Sequence, residues 1–179
     1  MPNEPASPVV KLDYFQLFVN KGGPSPEPED LESFVAVAER LTLPPYQRLL
    51  AAEFLRARGR PAPMDDRALA LLHAQAMPGA TEHNPWGLPG TAPGPLGVSL
   101  LSLGAHAEEA LRPLLVDQTP LNYFGSEEPT LASMYHYRVA DLAAWLLARQ
   151  QGREFIDARS VAARDAWVQA NLLTRPTPP

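Results

Sequence analysis

Residues 130–149 read TLASMYHYRVADLAAWLLAR, and how this stretch folds decides the architecture. With residues set 100° apart on a wheel, Leu131, Met134, Tyr135, Leu142, Trp145 and Leu146 share one broad apolar stripe, the pattern of a core-facing helix. The opposite side carries Tyr137, Ala140, Ala144 and Leu147 instead of polar groups. A helix apolar nearly all round is covered on both sides, so a central helix is predicted here. Thr130, after Pro129, offers an N-terminal cap; Gly152 offers a left-handed stop, and Arg149 suits the negative end. Arg138 falls within the apolar stripe. A guanidinium keeps its charge, so burial there demands acceptors.

Upstream, residues 117–129 (DQTPLNYFGSEEP) form a loop rich in aromatic and acidic side chains. Helical patterning precedes it at residues 96–103 and 105–116, with Pro113 weakening the last turn. Residues 78–95 (PGATEHNPWGLPGTAPGP) are too rich in Pro and Gly for regular structure, and Trp86 is expected to pin them to the body. Three earlier helices are predicted. Residues 29–41 carry Leu31, Phe34, Val35, Ala38 and Leu41 on one face, and residues 45–58 end at Gly59. The third begins at Asp65 or Asp66 and carries Leu69, Leu72 and Ala76. A last amphipathic helix over residues 161–173 turns Val161, Val168 and Leu172 inward. Residues 9–19 (VVKLDYFQLFV) have strand propensity but no second strand to pair with, and read as an extended arm or short helix packed on the body.

The fold class is therefore all-α, with short links favouring stacked antiparallel helix pairs and one long Pro/Gly-rich loop. Residues 1–28 form an arm and linker, residues 29–173 one helical domain, and residues 174–179 a disordered tail. The domain divides into sub-units 29–77 and 96–173 joined by the loop 78–95.

Net charge is −5 and the pI about 5.3, which argues against nucleic acid as a main partner. Cysteine is absent, which removes disulfides, thiolate metal sites and cysteine nucleophiles. No apolar run reaches membrane-spanning length and residues 1–8 lack the pattern of a signal peptide, so a cytoplasmic protein without a membrane role is expected.

Residues 101–117 (LSLGAHAEEALRPLLVD) and 137–147 (YRVADLAAWLL) together resemble a HEAT repeat, with Asp117 and Arg138 at the family's Asp and Arg positions across an expanded loop. Asp157 and Arg164 repeat the pattern more weakly towards the C-terminus. The resemblance covers about half the chain. It implies stacked helix pairs that serve as a scaffold for protein partners, and it implies an ion pair between Asp117 and Arg138. Glu127 and Glu128 are the other acceptors within reach in the chain.

The motifs for catalysis are thin. His73, His83, His106 and His136 are too far apart in sequence to suggest a metal site, and no cofactor is implied. Ser126 stands in no nucleophile elbow, and Gly87, Gly90 and Gly94 build no phosphate loop. Arg56, Arg58 and Arg60 either hold an anion or neutralise the end of their own helix. Tyr123, Phe124, Glu127, Glu128 and His136 are the candidate binding residues, on a loop that is either a recognition element or a structured insertion. Two functions fit: a non-catalytic interaction module with a protein partner, or a small enzyme using the loop carboxylates Asp117, Glu127 and Glu128 with Tyr135 or His136 in acid–base chemistry. Carboxylates gathered in one concave pocket with raised pKa values would mark the enzyme.

Overall fold

A computed structural model describes residue 17 and residues 28–79, 85–121 and 128–173; the side chains of residues 28–30, 128, 129 and 132 are not described. The described residues are helical, with two isolated β-bridges and no strand. Eight α-helices follow one another: α1 (Pro28–Glu39), α2 (Pro45–Ala57), α3 (Asp66–Ala76), α4 (Pro95–Ser102), α5 (Ala105–Leu111), α6 (Glu128–Tyr135), α7 (Val139–Gln150) and α8 (Val161–Val168). The all-α expectation holds.

Local sequence accounts for most boundaries. Pro45 opens α2 in its first turn, where a missing N–H costs nothing. Asp65 caps α3 by accepting from the Ala68 N–H at 2.7 Å. Pro113 turns the end of α5 into a 3₁₀ segment, Arg112–Val116. Ser160 caps α8 through the Ala163 N–H, and the helix ends in a wider turn, Gln169–Leu173.

The helices stack in sequence: α1 on α2, α2 on α3, α3 on α5, and α5 with its 3₁₀ extension on α7. Phe34 stacks on Phe54 at 4.5 Å to join α1 to α2. Every residue of α2 from Leu49 to Leu55 is buried, as is every residue of α7 from Val139 to Ala148. Trp145 and Leu147, on different sides of α7, are both in the core. The chain's central helix is thus covered all round, as its composition predicts. Leu69, Leu72, Ala76, Val168 and Leu172 are buried as expected, and Val161 half-buried. Leu41 is 80% exposed because α1 stops at Glu39 and releases it into the turn.

The single helix expected over residues 130–149 is two. α6 already begins at Glu128, so Thr130 lies inside it and does not cap it. The break falls at His136, whose φ of 50° no right-handed helix accepts. Its cause is pairing with residues distant in sequence. The Leu121 N–H donates to the Tyr137 carbonyl at 2.9 Å, and the Val139 N–H to the Thr119 carbonyl at 2.9 Å. The Ala140 N–H donates to the Asp117 carbonyl at 2.9 Å. A short extended arm, residues 117–121, thereby takes hydrogen bonds that a continuous helix would have kept.

Trp86 is buried and fixes the loop before α4, as expected. Within that loop the Gly94 N–H donates to the Trp86 carbonyl, and Gly87 and Pro93 form a bridge. Gly97 is required here: a Cβ on it would sit 2.2 Å from the Trp86 carbonyl oxygen. Leu17, the one described residue of the segment 9–19, is half-buried against the core. The rest of that arm and the tail 174–179 lie outside the described residues.

Candidate functional site

The arm 117–121 and the α6–α7 corner meet over a cluster of buried charges. Asp141, in the first turn of α7, is 1% exposed and accepts five hydrogen bonds. Three come from Arg138: its backbone N–H at 2.8 Å, Nε at 3.0 Å and Nη2 at 2.9 Å. Two come from Arg164 of α8: Nε at 2.8 Å and Nη2 at 3.1 Å. The carboxylate is thus gripped by two forked guanidinium groups and at the same time caps its own helix.

The remaining donors are also satisfied. Arg138 donates to the Asp165 carboxylate at 2.6 and 3.3 Å and to the Gln118 side-chain oxygen. Arg164, fully buried, donates to the carbonyls of Ala158, Arg159, Tyr135 and His136. Two arginines and two aspartates leave the cluster with no net charge. Burial alone would push the Asp141 carboxyl up, but the hydrogen bonds from Arg138 and Arg164 outweigh it and hold the group below the usual carboxylate range. Hydrogen bonding to Asp141 raises the Arg138 guanidinium against its own desolvation.

Aromatic rings close the cluster. Tyr135 and Tyr137 stack at 5.1 Å, with the Arg159 guanidinium over the first ring and that of Arg164 over the second. The Tyr137 hydroxyl donates to Asp157 at 2.5 Å; burial and that carboxylate raise its pKa.

Arg138 is buried, as the sequence requires, but its carboxylate partners are Asp141 and Asp165 and not Asp117. Asp117 accepts from the Thr119 N–H at 2.8 Å and so shapes the arm itself, while its carbonyl caps α7. The reason is the helix break: as the residue just before α7, Arg138 reaches a carboxylate three positions ahead, which a wheel drawn for one long helix does not allow. Asp157 likewise pairs with Tyr137, and Arg164 goes to Asp141. Sequence reasoning passed over Asp141, Asp165 and Gln118. The signal was present for Asp141, since Asp three residues after a helix-initiating position is a capping pattern.

His136 stands exposed at the tip of the corner, in the left-handed region. Met134, Val116, Gln118, Thr119 and Pro120 are exposed on the elements that flank it. Tyr123, Phe124 and Glu127 lie outside the described residues, and Glu128 is known only as the first residue of α6.

The arginines at and after the end of α2 serve the body. Arg56 pairs with Glu53, Arg58 lies over the Phe54 ring, and Arg60 pairs with Glu32. Arg56 and Arg60 also line an open depression of about 470 Å³ beside Met64 and Leu69. Among the described residues no three His, Asp or Glu side chains are placed to hold a metal ion, and no helix is long and apolar enough to cross a membrane.

No protein-family model matches the chain, and searches of curated proteins and of solved structures return no match.

Proposed function

We propose that this chain is a non-catalytic, HEAT-like interaction module whose partner surface is the α6–α7 corner with the arm 117–121. The observation that carries the reading is the charge cluster beneath that corner. Its ionic groups are spent on one another, and their effect is to hold a short extended arm and a strained turn in fixed positions at the surface. Fixing two backbone segments in advance lowers the ordering cost of binding, the usual benefit of a rigid platform under a recognition surface. Sequential stacking of α2, α3, α5 and α7 supports the HEAT-like plan.

Acid–base catalysis fits less well. A carboxylic acid that donates a proton near neutral pH needs a raised pKa, whereas Asp141 and Glu53, the two buried carboxylates among the described residues, are both held low.

The test compares three immobilised proteins in pull-downs: the intact chain, His136→Gly, and a variant with residues 118–129 replaced by a Gly/Ser link. His136→Gly deletes the exposed ring while suiting the positive φ, so the fold should survive it. A partner retained by the intact chain, weakened by His136→Gly and lost with the replaced loop is expected. The same proteins recovered with all three, or none recovered with any, would count against the reading.

A further inference from the structure

A second buried polar cluster lies between α2, α3 and the loop that precedes α4. His73 of α3 is fully buried, and both ring nitrogens are engaged. Nε2 lies 3.0 Å from Glu53 Oε1, and Nδ1 lies 3.1 Å from the indole nitrogen of Trp86. An indole N–H can only donate, so Nδ1 carries the lone pair and the ring hydrogen sits on Nε2, directed at Glu53. Trp86 thereby fixes the tautomer.

Two charged groups face the ring among the described residues, both from α2. They are Glu53 and Arg56, which donates to Glu53 at 3.1 Å. α4 contributes the neutral Ser99 hydroxyl, bonded to Arg56, and the described part of the loop, from residue 85 on, contributes the neutral indole. Burial pushes the His73 ring below its ordinary pKa, with Glu53 opposing.

Trp86 connects two layers of the molecule. Its ring lies against Tyr46 of α2 and His73 of α3, while its carbonyl presses on Gly97 of α4. Three residues on, the Pro89 carbonyl lies 3.4 Å from the hydroxyl of Tyr137, just before α7, whose hydrogen goes to Asp157. Whatever moves Trp86 therefore releases one of the contacts that join α1–α3 to the helices that follow, while the packing of α3 on α5 remains.

We propose that His73 and Trp86 form a proton-operated latch between these two layers. A proton taken from solvent onto Nδ1 converts the acceptor of the indole hydrogen bond into a second donor. Two N–H groups then face each other with no lone pair between them, and the imidazolium keeps only its bond to Glu53. The closed state has a neutral ring and a bound Trp86. The open state has a charged ring paired with Glu53 and a released Trp86. Opening lies on the acid side of neutrality, and the idea is independent of the partner-binding reading.

The experiment is an NMR titration of the intact chain labelled with ¹⁵N at histidine and tryptophan, from about pH 7.5 down to about pH 4, a span that runs from above the ordinary histidine range to well below it. The Trp86 indole resonance is assigned by Trp86→Phe. The His73 Nδ1 resonance should move to its protonated position, and solvent exchange of the Trp86 indole N–H should rise severalfold over the same pH interval. The Trp145 and Trp167 resonances should stay in place. Glu53→Gln keeps an acceptor for Nε2–H but removes the anion, so both changes should shift to lower pH. His73→Asn offers an oxygen near the position of Nδ1 and no proton to gain, so Trp86 should stay bound throughout. A Trp86 resonance that changes only when all three tryptophans unfold together would overturn the latch. So would a response in Glu53→Gln at the same pH as in the intact chain or at a higher one, which would leave the Glu53 anion no part in holding the proton. If His73→Asn fails to fold, the titrations of the intact chain and of Glu53→Gln decide the matter.

Discussion

At the start of α7 a carboxylate is buried between two guanidinium groups; between α2 and α3 another is buried against a neutral imidazole. Desolvation penalises both carboxylates, and both are held below their ordinary pKa, but by different means. Asp141 is offset by full positive charges that do not titrate in the ordinary range, so its cluster has one protonation state near neutrality. Glu53 is held by a His73 ring N–H and by Arg56, which is itself part-exposed, so the state of its cluster depends on one imidazole. The first arrangement fixes a backbone corner. The second leaves a joint that one proton can alter.

The largest effect expected from breaking this contrast is at Asp141. Asp141→Asn leaves two buried guanidinium groups facing an amide, and removing one member of such a cluster costs about 3–5 kcal/mol. Glu53→Gln keeps acceptors for His73 and Arg56 and should cost less, about 1–3 kcal/mol. Urea denaturation of both variants measures the difference. Equal losses would mean that the two carboxylates are held alike.

Next in size is the coupling between the two arginines. Arg138→Met or Arg164→Met alone leaves Asp141 one bidentate partner, whereas the double substitution leaves the buried carboxylate without a positive partner and with the backbone N–H of residue 138 as its remaining donor. The double loss should therefore exceed the sum of the single ones by about 1–3 kcal/mol, the range for residues sharing one network. Additive losses would show that each arginine acts mainly through its other acceptors: Asp165 and Gln118 for Arg138, backbone carbonyls for Arg164.

How much of this the sequence reveals depends on the range of the forces involved. The helices of the first half, the Asp65 cap, the place of Trp86 and the all-round burial of α7 follow from periodicity and local capping, which act within a few residues. The burial of Arg138 was legible for the same reason. The break at His136 was not, because the groups that compete for the backbone of Tyr137, Val139 and Ala140 belong to residues 117–121. Once the break is missed, the wheel sends Arg138 to the wrong partner. The HEAT-like pairing with Asp117 then looks natural, although Asp117 turns its carboxylate to its own arm. The His73–Trp86 contact was hidden too, since a lone histidine on a helix carries no mark of an indole thirteen residues on.

A third expected effect separates the clusters by pH. His73 has its pKa lowered in the folded chain, so the unfolded chain binds more protons below about pH 6.5, and stability must fall as pH falls through that window. The slope for one proton is at most about 1.4 kcal/mol per pH unit. Asp141 is lowered from a carboxylate value, so its contribution is complete above about pH 4 and is lost only as pH falls further, through its folded value. Urea midpoints at several pH values between about 7 and 5 should therefore decline in the intact chain and flatten in His73→Asn. A decline of the same slope in both would assign it to other groups.

The smallest effect lies at the edge of the α7 cluster and tests where its rigidity ends. Asp165 accepts two hydrogen bonds from Arg138, at 2.6 and 3.3 Å, yet its side chain is 52% exposed, against 1% for Asp141. Water screens such a pair and solvates whichever partner remains. Arg138 also keeps both Asp141 oxygens and Gln118 when Asp165 is neutralised. Asp165→Asn should therefore cost only about 0.2–1 kcal/mol, the range for exposed ion pairs, and the loss should shrink further in high salt. Measured by urea denaturation at low and high ionic strength, a loss near that of Asp141→Asn, insensitive to salt, would move Asp165 inside the cluster. It would also make α8 as tightly bound to the α6–α7 corner through Arg138 as it is through Arg164.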